Sequence, residues 1–242
     1  MDKFGLYVPQ LLPFKEYFLP EGHRACMGCG VALGVRHVCK ALEEKRELLE
    51  GARWEIPYTQ PLLSTLAGEK KDSSHEPRPA LLRLEKGNGK NLLLCFDNEA
   101  VEGKPTPRIF KKSHPALAVA RGFHYAATAC PSYPFDLIDK VKRGAESEGD
   151  SYIHILSPCP VGWDFESELT INIGRLAVEC ALFPLYETVM GTTRLTIDHP
   201  KLRPVEQYLT RQKRFAHVRP SEYRALQSEI DRQYAQLRAG KR

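Results

Sequence analysis

The amino-acid sequence predicts an α/β fold built on a doubly wound, mostly parallel sheet. Three observations point there. Asn91-Leu-Leu-Leu-Cys-Phe96 and Tyr152-Ile-His-Ile-Leu156 are short continuous apolar runs, the pattern of strands buried on both faces. Segments with apolar residues at helical spacing alternate with such runs, the order of βα units. Each run also stops at a turn-rich motif, Asp97-Asn-Glu99 after the first and Ser157-Pro-Cys-Pro-Val-Gly-Trp163 after the second. Open α/β sheets bind ligands at that end of their strands. The 242 residues suffice for one large or two small domains, and no internal repeat or linker divides them.

Residues 1–20 are rich in proline and aromatics, with Tyr7, Phe14, Tyr17 and Phe18, and follow no period. They are expected to form an arm lying on the domain or on a neighbouring subunit. The main α/β domain is expected over 21–204 and a helical tail over 205–242. Apolar residues at 31, 35, 38 and 42 mark a helix that is expected to continue through Glu43–Leu49 and stop near Gly51. Residues 51–79 carry Pro57, Pro61, Pro77 and Pro79 and are irregular. Ala80–Lys86 reads as a short helix ending at Gly87, although Asn88-Gly89 also permits a hairpin turn. After the Asn91–Phe96 strand, helices are expected at His114–Gly122 and Pro134–Gly144, with strands at Tyr125–Thr128 and Tyr152–Leu156. Ile171–Cys180 is helical, and Leu185–Val189 pairs with Arg194–Ile197 across Met190-Gly191-Thr192. Val205–Arg211 and Ser221–Arg238 close the chain as helices.

Composition narrows the class. Apolar residues make up 42% of the chain, enough for a sizeable core, and no run approaches the ~18 apolar residues of a membrane span. The N-terminus lacks the charged and apolar regions of a secretory signal. Seven cysteines is an odd number without the density of a disulfide scaffold, which fits a reducing cytoplasm with metal-binding or buried thiols. The net charge of +5 comes largely from the tail after Arg203, where basic residues alternate with Glu and Asp. That pattern reads as a solvated helix face or subunit contact rather than a nucleic-acid arm.

Chemistry concentrates in Glu21-Gly-His-Arg-Ala-Cys-Met-Gly-Cys-Gly30. Gly28 and Gly30 tolerate positive φ and close backbone approach, so this loop can turn two thiolates toward one centre. Alone, a Cys-x-x-Cys pair is half a metal site, a redox dithiol or two unligated cysteines. Cys159, in its own turn-rich loop, is the best partner. Cys39 reads as a buried small hydrophobe or a substitute ligand, and Cys95, Cys130 and Cys180 as core. The eight histidines are scattered without metal spacing, and no nucleophile elbow, P-loop or dinucleotide fingerprint occurs.

Gly22-His-Arg-Ala-Cys-Met-Gly-Cys-Gly30 resembles the N-terminal signature of the beta subunit of 2-oxoacid:ferredoxin oxidoreductases of the pyruvate type. Asp97-Asn-Glu-Ala100, Ser157-Pro-Cys-Pro-Val-Gly-Trp163 and Leu176-Ala-Val-Glu-Cys-Ala-Leu-Phe-Pro-Leu-Tyr-Glu187 agree with it in the same order. The resemblance runs from about Gly22 to Val218. It implies a thiamine-diphosphate-binding-domain-like fold, other subunits of an oxidoreductase complex, and ferredoxin as electron acceptor. It implies a [4Fe–4S] cluster with Cys26, Cys29 and Cys159 as ligands, consistent with the thiolate preference of iron–sulfur irons. The family's remaining ligand, in a Thr-Gly-Cys turn, has no counterpart in Leu49-Glu-Gly-Ala-Arg-Trp-Glu-Ile-Pro57.

The resemblance also implies thiamine diphosphate bound through Mg²⁺, with Asp97-Asn98-Glu99-Ala100 supplying the Asn98 side chain and Ala100 carbonyl. The family's Gly-Asp-Gly-Gly turn is replaced here by Gly68-Glu69-Lys70-Lys71, where only Glu69 offers a carboxylate. The segment that closes over the cofactor is absent after Ala100, where Val101-Glu-Gly-Lys-Pro-Thr-Pro107 follows. These departures predict a degenerate beta-type subunit with an impaired thiamine site. A scaffold subunit binding neither cofactor is the alternative, and a module using Lys70 and Lys71 for another anion is a third.

Overall fold

The computed structural model describes residues 25–43, 45–50, 53–55, 80–98 and 114–240. Among these, seven strands form one mixed sheet: β1 (Arg53–Glu55), β2 (Ala80–Gly87), β3 (Lys90–Asp97), β4 (Tyr125–Ala129), β5 (Ser151–Leu156), β6 (Tyr186–Val189) and β7 (Thr192–Leu195). Their spatial order is β1-β2-β3-β5-β4-β6-β7. The centre, β3-β5-β4, is parallel, and antiparallel pairs extend it at both edges. The helices are α1 (Gly30–Ala41), α2 (Arg46–Glu50), α3 (His114–Ala120), α4 (Pro134–Glu146), α5 (Pro160–Trp163), α6 (Thr170–Glu179), α7 (Val205–Leu209) and α8 (Pro220–Arg238).

Alternation along the central strands separates two cores. Leu92, Leu94 and Phe96 of β3 and Ile153 and Ile155 of β5 face α1 and α4, packing with Val31, Val35, Val38, Leu137 and Val141. The period-two geometry of a strand sends Leu93, Cys95 and Asp97, with Tyr152, His154 and Leu156, to the opposite face. There Leu156 joins Trp163, Ile173, Ala177, Tyr208, Leu226 and Ile230, a core built by α6, α7 and α8. Helices therefore cover both faces, as a doubly wound sheet requires. Each fully buried Leu, Ile or Phe contributes about 1.5–3 kcal/mol, so residues 205–238 are held by the same core as the sheet.

Two expectations change. Ala80–Lys86 is strand β2, not a helix, and it pairs antiparallel with β3. Leu82 and Leu84 are buried while Arg83 and Glu85 are exposed, a period of two. The turn is Asn88-Gly89, with φ of 52° and 71°, the left-handed pair that a two-residue hairpin needs. Lys86 fastens the hairpin: its Nζ donates to the carbonyls of Gly144, Ser147 and Gly149 at 2.9, 2.8 and 2.6 Å. The helix from Val31 also does not run through to Leu49. It ends at Ala41 and a separate helix, α2, starts at Arg46. Leu42 caps that end, its N–H turned to the carbonyls of Val38 and Lys40. The hairpin expected across Met190-Gly191 is present as β6 and β7, with the Met190 and Gly191 φ values at 48° and 83°.

At the opposite sheet edge a buried polar node joins three strands to α4. Glu187 of β6 accepts from the Tyr125 hydroxyl at 2.9 Å and from Arg143 at 2.6 Å and Arg194 at 2.7 Å. Burial opposes its ionisation, but the bonds from Arg194 and Tyr125 and the charge of Arg143 hold its carboxyl below the usual range. Lys140 is 1% exposed. Its ammonium donates to Asp136 at 2.7 Å, the Thr128 carbonyl at 2.8 Å and Thr196 at 2.7 Å, so all three protons are placed.

Candidate functional site

Parallel pairing sets Asp97 opposite Leu156 at the C-terminal ends of β3 and β5. Their two motif loops therefore leave the sheet side by side. Two bonds latch them. The Ser157 N–H donates to the Asp97 carbonyl at 2.8 Å, and the Trp163 indole N–H donates to the Asn98 carbonyl at 2.6 Å. Trp163 is fully buried, with the Arg214 guanidinium 3.7 Å above its ring, a cation–π contact.

The first cysteine loop docks on the second. The Gly30 N–H donates to the Pro158 carbonyl at 3.0 Å. A Cβ on Gly30 would lie 2.6 Å from both the nitrogen and the oxygen of Pro158, so only glycine allows this approach. Thr170 of α6 completes the dock by donating to the Gly28 carbonyl at 2.7 Å. The sequence-predicted residues Cys26, Cys29 and Cys159 are thus gathered at one sheet edge.

Each of two sulfurs also meets an amide. The Cys29 Sγ caps α1 and accepts the Ala32 N–H at 3.5 Å, and the Cys159 Sγ caps α5 and accepts the Gly162 N–H at 3.3 Å. Burial pushes both thiols up, and those amides pull against it. The neighbouring thiols add to the upward push, Cys26 on Cys29, and Cys29 and Cys26 on Cys159. Three thiols in mutual electrostatic reach, with amides aimed at two sulfurs, suit a polynuclear iron–sulfur group, whose irons each take their own thiolate.

All seven cysteines lie among the described residues, so the search for a fourth thiol is complete for this chain. Cys39 sits ten residues along α1 from Cys29, about 15 Å at the rise of an α-helix. It is partly buried and packs against the core. Cys95, Cys130 and Cys180 are buried at 4%, 0% and 0% exposure, as expected of core residues. Three thiols of this chain, those of Cys26, Cys29 and Cys159, therefore belong to these two loops, and the other four cysteines lie elsewhere.

The residues that the family resemblance assigns to thiamine diphosphate are described only in part. Gly68, Glu69, Lys70, Lys71 and Ala100 lie outside the described residues, as does the segment after Ala100. Asp97 and Asn98 lie within them, Asn98 half-buried at the strand end and Asp97 buried. The Asp97 Oδ2 stands 3.2 Å from the Nε2 of His154 on β5. Burial works against charge on that ring, but the bonds to Asp97 and Cys95 push it up to about 9.

Histidines are where sequence reasoning fell short. His114 and His154, forty residues apart in sequence, meet with their Nδ1 atoms 3.3 Å apart. The fold creates that pairing by laying α3 over β5. The available signal was His154 two residues before the strand end and in line with Tyr152.

The chain was compared with known proteins. No family model matches it. It is 30% identical to the pyruvate synthase subunit PorB of Methanocaldococcus jannaschii over 290 positions, covering 90% of this chain and 95% of that protein. It is 29% identical to PorB of Methanothermobacter marburgensis over 283 positions, covering 93% and 98%. With the ketoisovalerate oxidoreductase subunit VorB of Pyrococcus abyssi the identity is 28% over 294 positions, 94% of each chain. These alignments have more positions than the 242 residues of this chain, so the relatives carry internal segments that it lacks.

Proposed function

Because this chain belongs to the family of 2-oxoacid:ferredoxin oxidoreductase beta subunits, we propose that it is the electron-relay subunit of a cytoplasmic complex of that type. In this reading Cys26, Cys29 and Cys159 hold a [4Fe–4S] cluster whose electrons pass to ferredoxin. The observation that carries it is the docking of the two cysteine loops through Gly30 and Pro158, with amides turned toward the Cys29 and Cys159 sulfurs. Such amides stabilise charge on the sulfurs and tune the potential of the group they ligate. The cluster supplies one-electron chemistry. The chain's part is to place three thiolates, shield two of them, and leave Cys26 exposed at the surface.

The thiamine diphosphate site is impaired in the same reading. By the resemblance, Gly68-Glu69-Lys70-Lys71 stands in the sequence for the family's Gly-Asp-Gly-Gly, so two lysines replace glycines that let backbone approach a diphosphate. Glu69, Asn98 and Ala100 leave an incomplete oxygen set for Mg²⁺. Internal segments absent from this chain relative to its relatives favour a second reading, a scaffold subunit that binds neither group.

Iron and acid-labile sulfide per chain, measured on protein purified without oxygen, separate the two. About four of each supports the relay, and Cys26→Ala or Cys159→Ala then removes the visible absorbance. Absence of iron and sulfide supports the scaffold. Calorimetry with thiamine diphosphate and Mg²⁺ tests the impaired site, and micromolar binding overturns it.

A further inference from the structure

We propose that the face of the sheet behind the Asp97 turn carries a metal site separate from the cysteine loops, for a divalent transition-metal ion of the zinc class. Its imidazole ligands are His114 and His154, and Asp97 is the carboxylate that orients His154. Among the described residues, Asp97, His114 and His154 are the one set of three such groups whose ligand atoms all lie within 4.8 Å of one another.

Three features of the geometry carry the proposal. First, the two Nδ1 atoms are 3.3 Å apart. Zinc–nitrogen bonds of about 2.0–2.1 Å at a tetrahedral angle separate two ligands by about 3.3–3.4 Å. Second, the rings meet at an interplanar angle of 48° with centroids 4.8 Å apart. They are tilted and do not stack, which leaves both Nδ1 atoms on the edges that meet. Third, the far nitrogen of His154 is held by Asp97 at 3.2 Å. Metal-bound histidines recur with that carboxylate–imidazole–metal order, because the carboxylate fixes the tautomer and makes the metal-facing nitrogen more basic.

The surroundings supply a further donor and keep water out. The Tyr152 hydroxyl lies 3.1 Å from the same His154 Nδ1. Phe183 closes one side, its ring centroid 5.8 Å from that of His154. Asp97 and His154 are each 5% exposed. Imidazole suits zinc and its transition-metal relatives, whereas Mg²⁺ demands oxygen ligands. The site is thus chemically distinct from the magnesium set expected at Asn98 and Ala100.

The test uses the full chain, stripped with chelator and dialysed against Zn²⁺ alone, with bound zinc counted per chain. Because the cysteine loops can also take zinc, the reading is a difference. His114→Ala and His114→Gln are each expected to bind one equivalent less than the parent, while Cys159→Ala keeps that equivalent. Co²⁺ in place of zinc is expected to give tetrahedral d–d absorption that the His114 variants lack. His114 is half-buried at the start of a helix, so two variants of different size guard against misfolding, checked by circular dichroism. Equal zinc in the parent and in a folded His114 variant overturns the proposal.

Discussion

Gly30→Ala is the sharpest probe of the cysteine-loop dock. The added Cβ would stand 2.6 Å from Pro158 nitrogen and oxygen, about 0.8 Å short of the 3.4 Å at which such contacts become ordinary. The obstacle is backbone and cannot swing aside. The loops must separate, and the Gly30–Pro158 bond of 3.0 Å stretches beyond hydrogen-bonding range. Losing that bond costs about 1 kcal/mol, and forcing the backbone apart about 1–3 kcal/mol more. Alanine returns at most about 1 kcal/mol through its better helix propensity. The net loss of about 1–3 kcal/mol lowers Tm by about 2–12 °C for a chain of this size. Thermal unfolding followed by circular dichroism reads the shift, and a Tm at or above wild type refutes the packing argument. Iron per chain is the second readout, expected to fall because the two loops no longer hold their sulfurs at one spacing. A lowered Tm with full iron would keep the dock and deny its link to the metal.

Four further outcomes are expected. Lys140→Met strands the buried Asp136 carboxylate and is expected to destabilise by about 3–5 kcal/mol; Lys140→Met with Asp136→Leu recovers most of it, and simple additivity in denaturant melts counts against the pairing. Burial, with Lys40 and Arg36 nearby, pushes His37 down to about 4 from its ordinary 6.5. The unfolded chain takes up that proton first, so this stability is full above pH 6.5 and is lost as pH falls toward 4, about 3 kcal/mol at most. His37→Leu flattens the acid limb of the stability curve, and an unchanged slope contradicts the assignment. Trp163→Phe loses the bond to the Asn98 carbonyl and part of the Arg214 contact and is expected to cost about 2 kcal/mol in urea titration; no change in midpoint denies the latch. Cys39→Ala is expected to leave iron content untouched, and loss of iron would return Cys39 to the ligand set.

What was legible in the sequence was whatever a short-range pattern could encode. The apolar runs at Asn91–Phe96 and Tyr152–Leu156 announced the central strands, because strands buried on both faces leave no polar alternation to misread. The cysteine loops and the Asp97 turn were legible as turn chemistry. Ala80–Lys86 was misread because helix-forming Leu, Arg, Glu and Lys fill a strand there, and the carbonyls that hold Lys86 come from residues beyond position 140. Tertiary partners outweighed local propensity. Of the His114–His154 pair the sequence offered only the place of His154 near a strand end; the pairing itself exists only after α3 covers β5. The break after Ala41 falls where the sequence has neither glycine nor proline to announce it.

The latch between the Asp97 turn and the Cys159 loop is made of main-chain atoms on one side. Ser157 and Trp163 hold the carbonyls of Asp97 and Asn98, not the Asn98 amide. Residue 98 can therefore change identity without loosening its neighbour, while residue 163 cannot. The two halves of this sheet edge are free to drift at different rates: the oxygen-donating half can lose its chemistry one side chain at a time, and the sulfur-bearing half keeps its footing throughout. A strand end built this way can exchange the side chains of one loop while the backbone footing of the other stays in place.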